Sequence, residues 1–184
     1  LGMYRPILKQ LRQRGIVWDD NRENDDGVMN VGIVIGAGGT ARAACYAVKE
    51  LGLDVVVINR SAEKGLELAK MFDGTFKSDL SSVVSDDNTI VHVIISTVPA
   101  AAAYEAPLEI LHNDKPVVLD VVYTPACTAL IEQALNSDCL FVQGATMLLE
   151  QALEQFQLWN QRRAPRDAME VAIWNGVEKL DRSA

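Results

Sequence analysis

The run Val31-Gly32-Ile33-Val34-Ile35-Gly36-Ala37-Gly38-Gly39-Thr40-Ala41-Arg42-Ala43 constrains the fold more than any other part of the chain. A β-branched apolar segment ends at a glycine cluster, and small residues suited to a helix follow at once. Gly36 permits a tight turn off the strand, and Gly38 leaves the backbone open to a pyrophosphate. Ala41 takes the third small position of G-x-G-x-x-[GA], where helix and strand must pack closely. Ala37, Gly39 and Thr40 complete the loop. The new helix points its unpaired N–H groups, and the positive end of its dipole, at the phosphates. Alone, the glycine pattern also fits a plain strand–helix turn. Its flanks favour more than that. A helical pattern follows (Ala44, Val48, Leu51), Gly52 stops it, and a second apolar run, Val55-Val56-Val57-Ile58, completes a βαβ unit. This is how a Rossmann-type fold opens a dinucleotide site.

Strand and helix patterns then alternate to the end of the chain. Residues 3–14 read as an amphipathic helix (Tyr4, Ile7, Leu8, Leu11) with Gly15 as its stop, and residues 18–30 as a polar, acidic surface loop. Strands are expected at 31–35, 55–58, 90–95, 117–122 and 140–142, with a weak strand and helix inside 76–84. Helices are expected at about 40–51, from Ser61 as N-cap, at about 108–111, 126–136 and 147–160, and from Pro165 to about 180. In the helix over 147–160, Leu148, Ala152, Gln155, Phe156 and Trp159 fall near one face. The expectation is one α/β domain over 1–184, a doubly wound parallel sheet with helices on both faces. Residues 1–30 form its leading helix and acidic loop.

Composition narrows the function. The chain is 49% hydrophobic and 6% aromatic, which suits a parallel sheet buried on both faces. A net charge of −8 argues against a nucleic-acid surface. No apolar run is long enough for a membrane span, and the start has no signal-peptide order. Three cysteines (Cys45, Cys127, Cys139) without a C-x-x-C pair, and two histidines, make no zinc set. A cytoplasmic chain with reduced thiols, no metal and no disulfide is expected. Because the first residue is not Met, an excised domain is expected too. His92, in mid-strand, reads as a packed core residue, and His112 as inert. Asp120, at a strand end, reads as structural rather than catalytic.

NAD sites place Asp or Glu at the end of the second strand, on the ribose 2′-OH. Here Asn59-Arg60-Ser61 stands in that place. A guanidinium would pair bidentately with a 2′-phosphate, which a carboxylate would repel. The cofactor expected is therefore NADP, with Arg60 on the phosphate and Asn59 and Ser61 assisting.

With these residues assembled, the chain resembles the NADP-binding half of the shikimate/quinate dehydrogenase family. Four motifs carry the likeness: the glycine loop, Asn59-Arg60-Ser61, Asp120-Val121-Val122-Tyr123 (like D-x-x-Y), and Gly144-Ala145-Thr146-Met147-Leu148-Leu149-Glu150-Gln151-Ala152 (like G-x-x-M-L-x-x-Q-A). The stretch Ile95-Ser96-Thr97-Val98-Pro99 departs from the bacterial pattern and looks more like the dehydrogenase domain of the pentafunctional AROM polypeptide. The resemblance implies cofactor contacts from Ser96, Thr97, Val98 and Val121, a nicotinamide wall from Gly144 and Met147, and substrate contacts from Tyr123 and Gln151. Read from the residues alone, Tyr123 is equally a half-buried aromatic and Gln151 a helix-surface polar residue. The family's lysine and aspartate proton-transfer pair would lie upstream, in a substrate domain toward which residues 144–184 would pack. Shikimate or 3-dehydroshikimate would be the small-molecule substrate, within a multidomain polypeptide. Quinate dehydrogenase, or a non-catalytic repressor-like regulator, remain alternatives.

Overall fold

In a computed structural model describing residues 2–16, 27–84 and 88–182, six parallel strands form one sheet in the order β3-β2-β1-β4-β5-β6. The strands are β1 Met29–Ile35, β2 Asp54–Ile58, β3 Thr75–Lys77, β4 Thr89–Ser96, β5 Val117–Asp120 and β6 Phe141–Val142. The helices are α1 Tyr4–Gln13, α2 Gly39–Glu50, α3 Ala62–Met71, α4 Ser81–Val84, α5 Leu108–Asn113, α6 Ala129–Asn136, α7 Gly144–Asn160 and α8 Arg166–Asp181. The doubly wound α/β sheet expected from the sequence is present. Most of the acidic loop, residues 17–26, lies outside the described residues.

Strand order explains the layering. The chain steps from β1 to β3 in one direction and from β4 to β6 in the other, and right-handed crossovers then put the two sets of helices on opposite faces. Alternating strand residues serve the two cores. Val55 and Val57 join α2 and α3 on one face, while Val56 and Ile58 join the core shared with α5 and α6. The first face would lie bare over β5 and β6, which have no crossover helix there. Helix α1 fills that place, packing on β5 and β6 with Ile7 and Leu11 fully buried. It is part of the core, not a leader to it.

Several boundaries differ from the sequence reading. Strand β5 stops at Asp120 rather than at 122, because the Asp120 carboxylate takes the Val122 N–H at 3.1 Å and turns the chain. Helix α6 starts three residues later than expected, with the Thr128 hydroxyl accepting from Ile131 N at 3.4 Å as its N-cap. Helix α7 begins at Gly144, and residues 100–106 contain a 3-10 turn, Ala100–Ala102. His92 is not a packed core residue. The register slips there, Val31 pairing with Val91 and Gly32 with Val93, so His92 is the extra residue of a bulge and its Nε2 lies 2.8 Å from Asn30 Oδ1.

Helices α7 and α8 make a hairpin with a small core of its own, Leu149, Leu153 and Ala164 backed by Phe156, Met169 and Ile173. The buried stripe of α7 is thus one position off the expected one, and Trp159 is 76% exposed. Arg166 ties α8 to the buried Glu150 at 2.6 Å, and Arg5 ties α1 to Glu154 at 2.5 Å.

Candidate dinucleotide site

The carboxyl ends of β1, β2, β4 and β5 and the start of α7 come together on one edge of the sheet. The direction of winding reverses between β1 and β4, and a crevice opens at such a switch point. Gly36, at φ +113°, makes the turn off β1. A Cβ there would also strike the Thr97 hydroxyl, whose Oγ1 donates to Ile35 O at 2.7 Å. Thr97 therefore braces the β1 and β4 ends against each other. Above Gly38 and Gly39 nothing stands within 4 Å of where a side chain would project. Gly38 caps α2 with no side-chain hydrogen bond, so the first N–H groups of that helix are left to a ligand. Thr40 is exposed beside them, and Ala41 is fully buried against the sheet.

A cavity of about 280 Å³ adjoins the loop, lined by Ala37, Gly38, Gly39, Arg42, Lys64 and Met71 among others. Arg60 is exposed at the end of β2, just before α3. Asn59 and Ser61 shape that turn: Asn59 Nδ2 donates to Ser61 O at 2.8 Å, and Ser61 Oγ caps α3 by accepting from Lys64 N at 3.5 Å. The Asn59 amide nitrogen is therefore a brace, whereas the Ser61 hydroxyl keeps its own proton to donate. Arg42 and Lys64 were missed in the sequence. Lys64 could have been found in the first turn of α3, at the position that the Ser61 cap fixes beside the glycine loop.

Ser96, at the end of β4, is buried, and with the half-buried Val98 and with Asp120 it lines a cavity of about 120 Å³. Beside Ser96 across the ladder, Asp120 is buried too. Burial pushes its carboxyl above the usual carboxylate range, opposed by the Val122 N–H and the Thr128 hydroxyl, which donates at 2.8 Å. The Ser96 hydroxyl leans the same way without reaching hydrogen-bond geometry. Val121 is half-buried and Tyr123 exposed on the loop beyond.

Gly144 seats α7 on this loop, since a Cβ at Gly144 would meet the Val122 carbonyl and come within 2.5 Å of the Val121 carbonyl oxygen. Met147 is mostly packed into the core beneath, only 7% exposed. Gln151, one turn on, is exposed, and its Cγ lies 2.5 Å from where a Gly2 side chain would begin. The glycine loop, Arg60, Val121, Gly144 and Met147 thus share one edge, with Tyr123 and Gln151 at its α7 end.

Comparison with known proteins agrees with this fold. Residues 144–173 match the family model "Shikimate 5′-dehydrogenase C-terminal domain". The chain is 35% identical over 144 residues to a shikimate dehydrogenase (NADP(+)) of Halorubrum lacusprofundi, covering 77% of this chain and 52% of that one. It is 35% identical over 159 residues to the pentafunctional AROM polypeptide of Lachancea thermotolerans, covering 78% of this chain and 10% of that one. The crystal structure of Mycobacterium tuberculosis shikimate dehydrogenase superposes with a TM-score of 0.66 at 30% identity, covering 82% of this chain and 60% of that one. The chain thus spans about half the length of a free-standing relative, 52% in the first case.

Proposed function

The chain belongs to the shikimate/quinate dehydrogenase family, and from that premise we propose that it is the NADP-binding half of a shikimate dehydrogenase. The observation that carries the cofactor choice is Arg60. An exposed guanidinium stands at the end of β2, where an NAD site needs a carboxylate, and opens onto the same edge as the bare backbone of Gly38 and Gly39. The donor set fits NADP. The α2 N-terminus and the glycine backbone would take the pyrophosphate, and Arg60 would take the 2′-phosphate, with Ser61 donating and Lys64 and Arg42 adding charge. Val98 and Val121 would flank the nicotinamide, Gly144 and Met147 would back it, and Thr97 would act through its brace on the loop.

When bound, NADPH supplies the hydride that reduces 3-dehydroshikimate to shikimate. Tyr123 and Gln151 would hold the substrate from the cofactor side. The lysine and aspartate that move the proton would come from a substrate half joined to this one in a longer polypeptide, as a fusion or a two-domain enzyme. The α7–α8 hairpin would pack against that half. We place the activity in the cytoplasm, in keeping with the free thiols of Cys45, Cys127 and Cys139. Among the described residues no helix is long and apolar enough to cross a membrane.

Calorimetric titration with NADP⁺ and NAD⁺ tests the reading. NADP⁺ should bind clearly more tightly than NAD⁺. Arg60→Ala should weaken NADP⁺ by roughly ten- to a hundredfold, the worth of a charged hydrogen-bond pair, and leave NAD⁺ nearly unchanged. Equal affinity for both nucleotides, or an indifferent Arg60→Ala, would overturn it.

A further inference from the structure

The loop of residues 121–128 carries Val121, Val122 and Tyr123 between β5 and α6, and one buried side chain holds both of its ends. Asp120 Oδ1 accepts from Val122 N at 3.1 Å, and Asp120 Oδ2 accepts from Thr128 Oγ1 at 2.8 Å. Asp120 is 4% exposed, and among the described residues no cation pairs with it. A lone carboxylate in such a place is costly, so an apolar residue would fill it more cheaply unless the two hydrogen bonds are needed. What they fix is visible next door. Gly144, the first residue of α7, rests on the Val121 and Val122 carbonyls with no room for a single extra carbon. Gln143 Nε2 binds the same loop at Ala126 O, 3.1 Å away.

We infer that Asp120 and Thr128 are positioning residues that set the Val121–Gly144 contact, and with it the wall against which the nicotinamide end of the dinucleotide lies. Neither touches the cofactor. The inference rests on the proposed NADP site and deepens it by dividing that site in two. The glycine loop and Arg60 hold the adenosine end independently of Asp120, whereas the nicotinamide end depends on it.

Adenosine 2′,5′-bisphosphate separates the halves, because it carries the 2′-phosphate and adenosine but no nicotinamide. NADP⁺ and this probe are titrated into the wild-type chain, Asp120→Ala, Thr128→Val, Asp120→Asn and Thr128→Ser. Thr128→Val, which removes one buried hydrogen bond, should weaken NADP⁺ by about tenfold, and Asp120→Ala, which removes two, by at least as much, neither weakening the bisphosphate. Asp120→Asn, which can accept from Val122 and donate to Thr128, and Thr128→Ser should restore NADP⁺ binding. Thr128→Val keeps the test informative if Asp120→Ala fails to fold. Equal weakening of both nucleotides would make the pair a general support of the fold and overturn the inference, as would unchanged NADP⁺ binding in both disruptive variants. A wild-type chain that binds neither nucleotide would instead refute the NADP site itself.

Discussion

At the scale of single residues, charge burial separates what ligand binding needs from what folding prefers. Asp120 is charged at neutral pH in the unfolded chain, but burial holds its native value above the ordinary 3.8. The folded state therefore keeps its proton more tightly. Stability from this group is fully present below about 3.8 and is lost as pH rises through the native value. Asp120→Asn removes that loss while keeping partners for Val122 and Thr128. It should melt above the wild type at pH 7, and the gap should close as pH falls below the unfolded value. Thermal melts across that range check this, and a gap independent of pH would refute it. The proposed cradle of Arg60 and the glycines is legible in the sequence because its chemistry is local: three or four neighbouring residues would make it. The Asp120–Thr128 bond was not, since it joins residues eight positions apart across a turn that hydropathy does not register. Cys45 is equally silent in sequence, yet burial pushes its thiol up to about 12, which makes it inert packing rather than a reactive group.

At the scale of elements, the strands were the most readable part. Fully buried parallel strands appear as continuous apolar runs, and five of the six stood out that way. Helix α1 was legible as a helix but not in its role. Nothing local says that an amphipathic helix before the first strand must cover the far half of the sheet; that follows from the order of the strands. Ile7 and Leu11 are as buried as any strand residue. Ile7→Ala and Leu11→Ala should each destabilise the domain by about 2–5 kcal/mol in urea unfolding, because each leaves a cavity over β5 and β6. A cost below about 0.5 kcal/mol, the usual range for surface changes, would mean that α1 is only appended. The end of β5 and the start of α6 were misplaced for the reason that hid Asp120: a side-chain hydrogen bond, not apolar periodicity, sets both.

For the molecule as a whole, the two cores of the sheet close on themselves, while the α7–α8 hairpin does not. Leu158, Trp159, Val171 and Leu180 are all exposed along it, between 48% and 76%. Its own small core and the Arg166–Glu150 pair hold its two helices together, and the Arg5–Glu154 pair ties it to α1, without covering these side chains. Exposed apolar side chains gathered on one element mark a surface for a partner, and in the proposed enzyme that partner is the substrate half. If so, Leu158 and Trp159 contribute nothing to the stability of this chain by itself. Leu158→Ser with Trp159→Ser should leave its unfolding free energy within about 0.5 kcal/mol of the wild type. The same pair should weaken binding of the substrate half, supplied as a separate polypeptide, by at least about tenfold, as expected when a buried aromatic anchor is lost from an interface. Chemical denaturation gives the first quantity and sedimentation the second. A destabilisation of 2 kcal/mol or more would place both residues in this domain's core, and unchanged association would move the joining surface elsewhere.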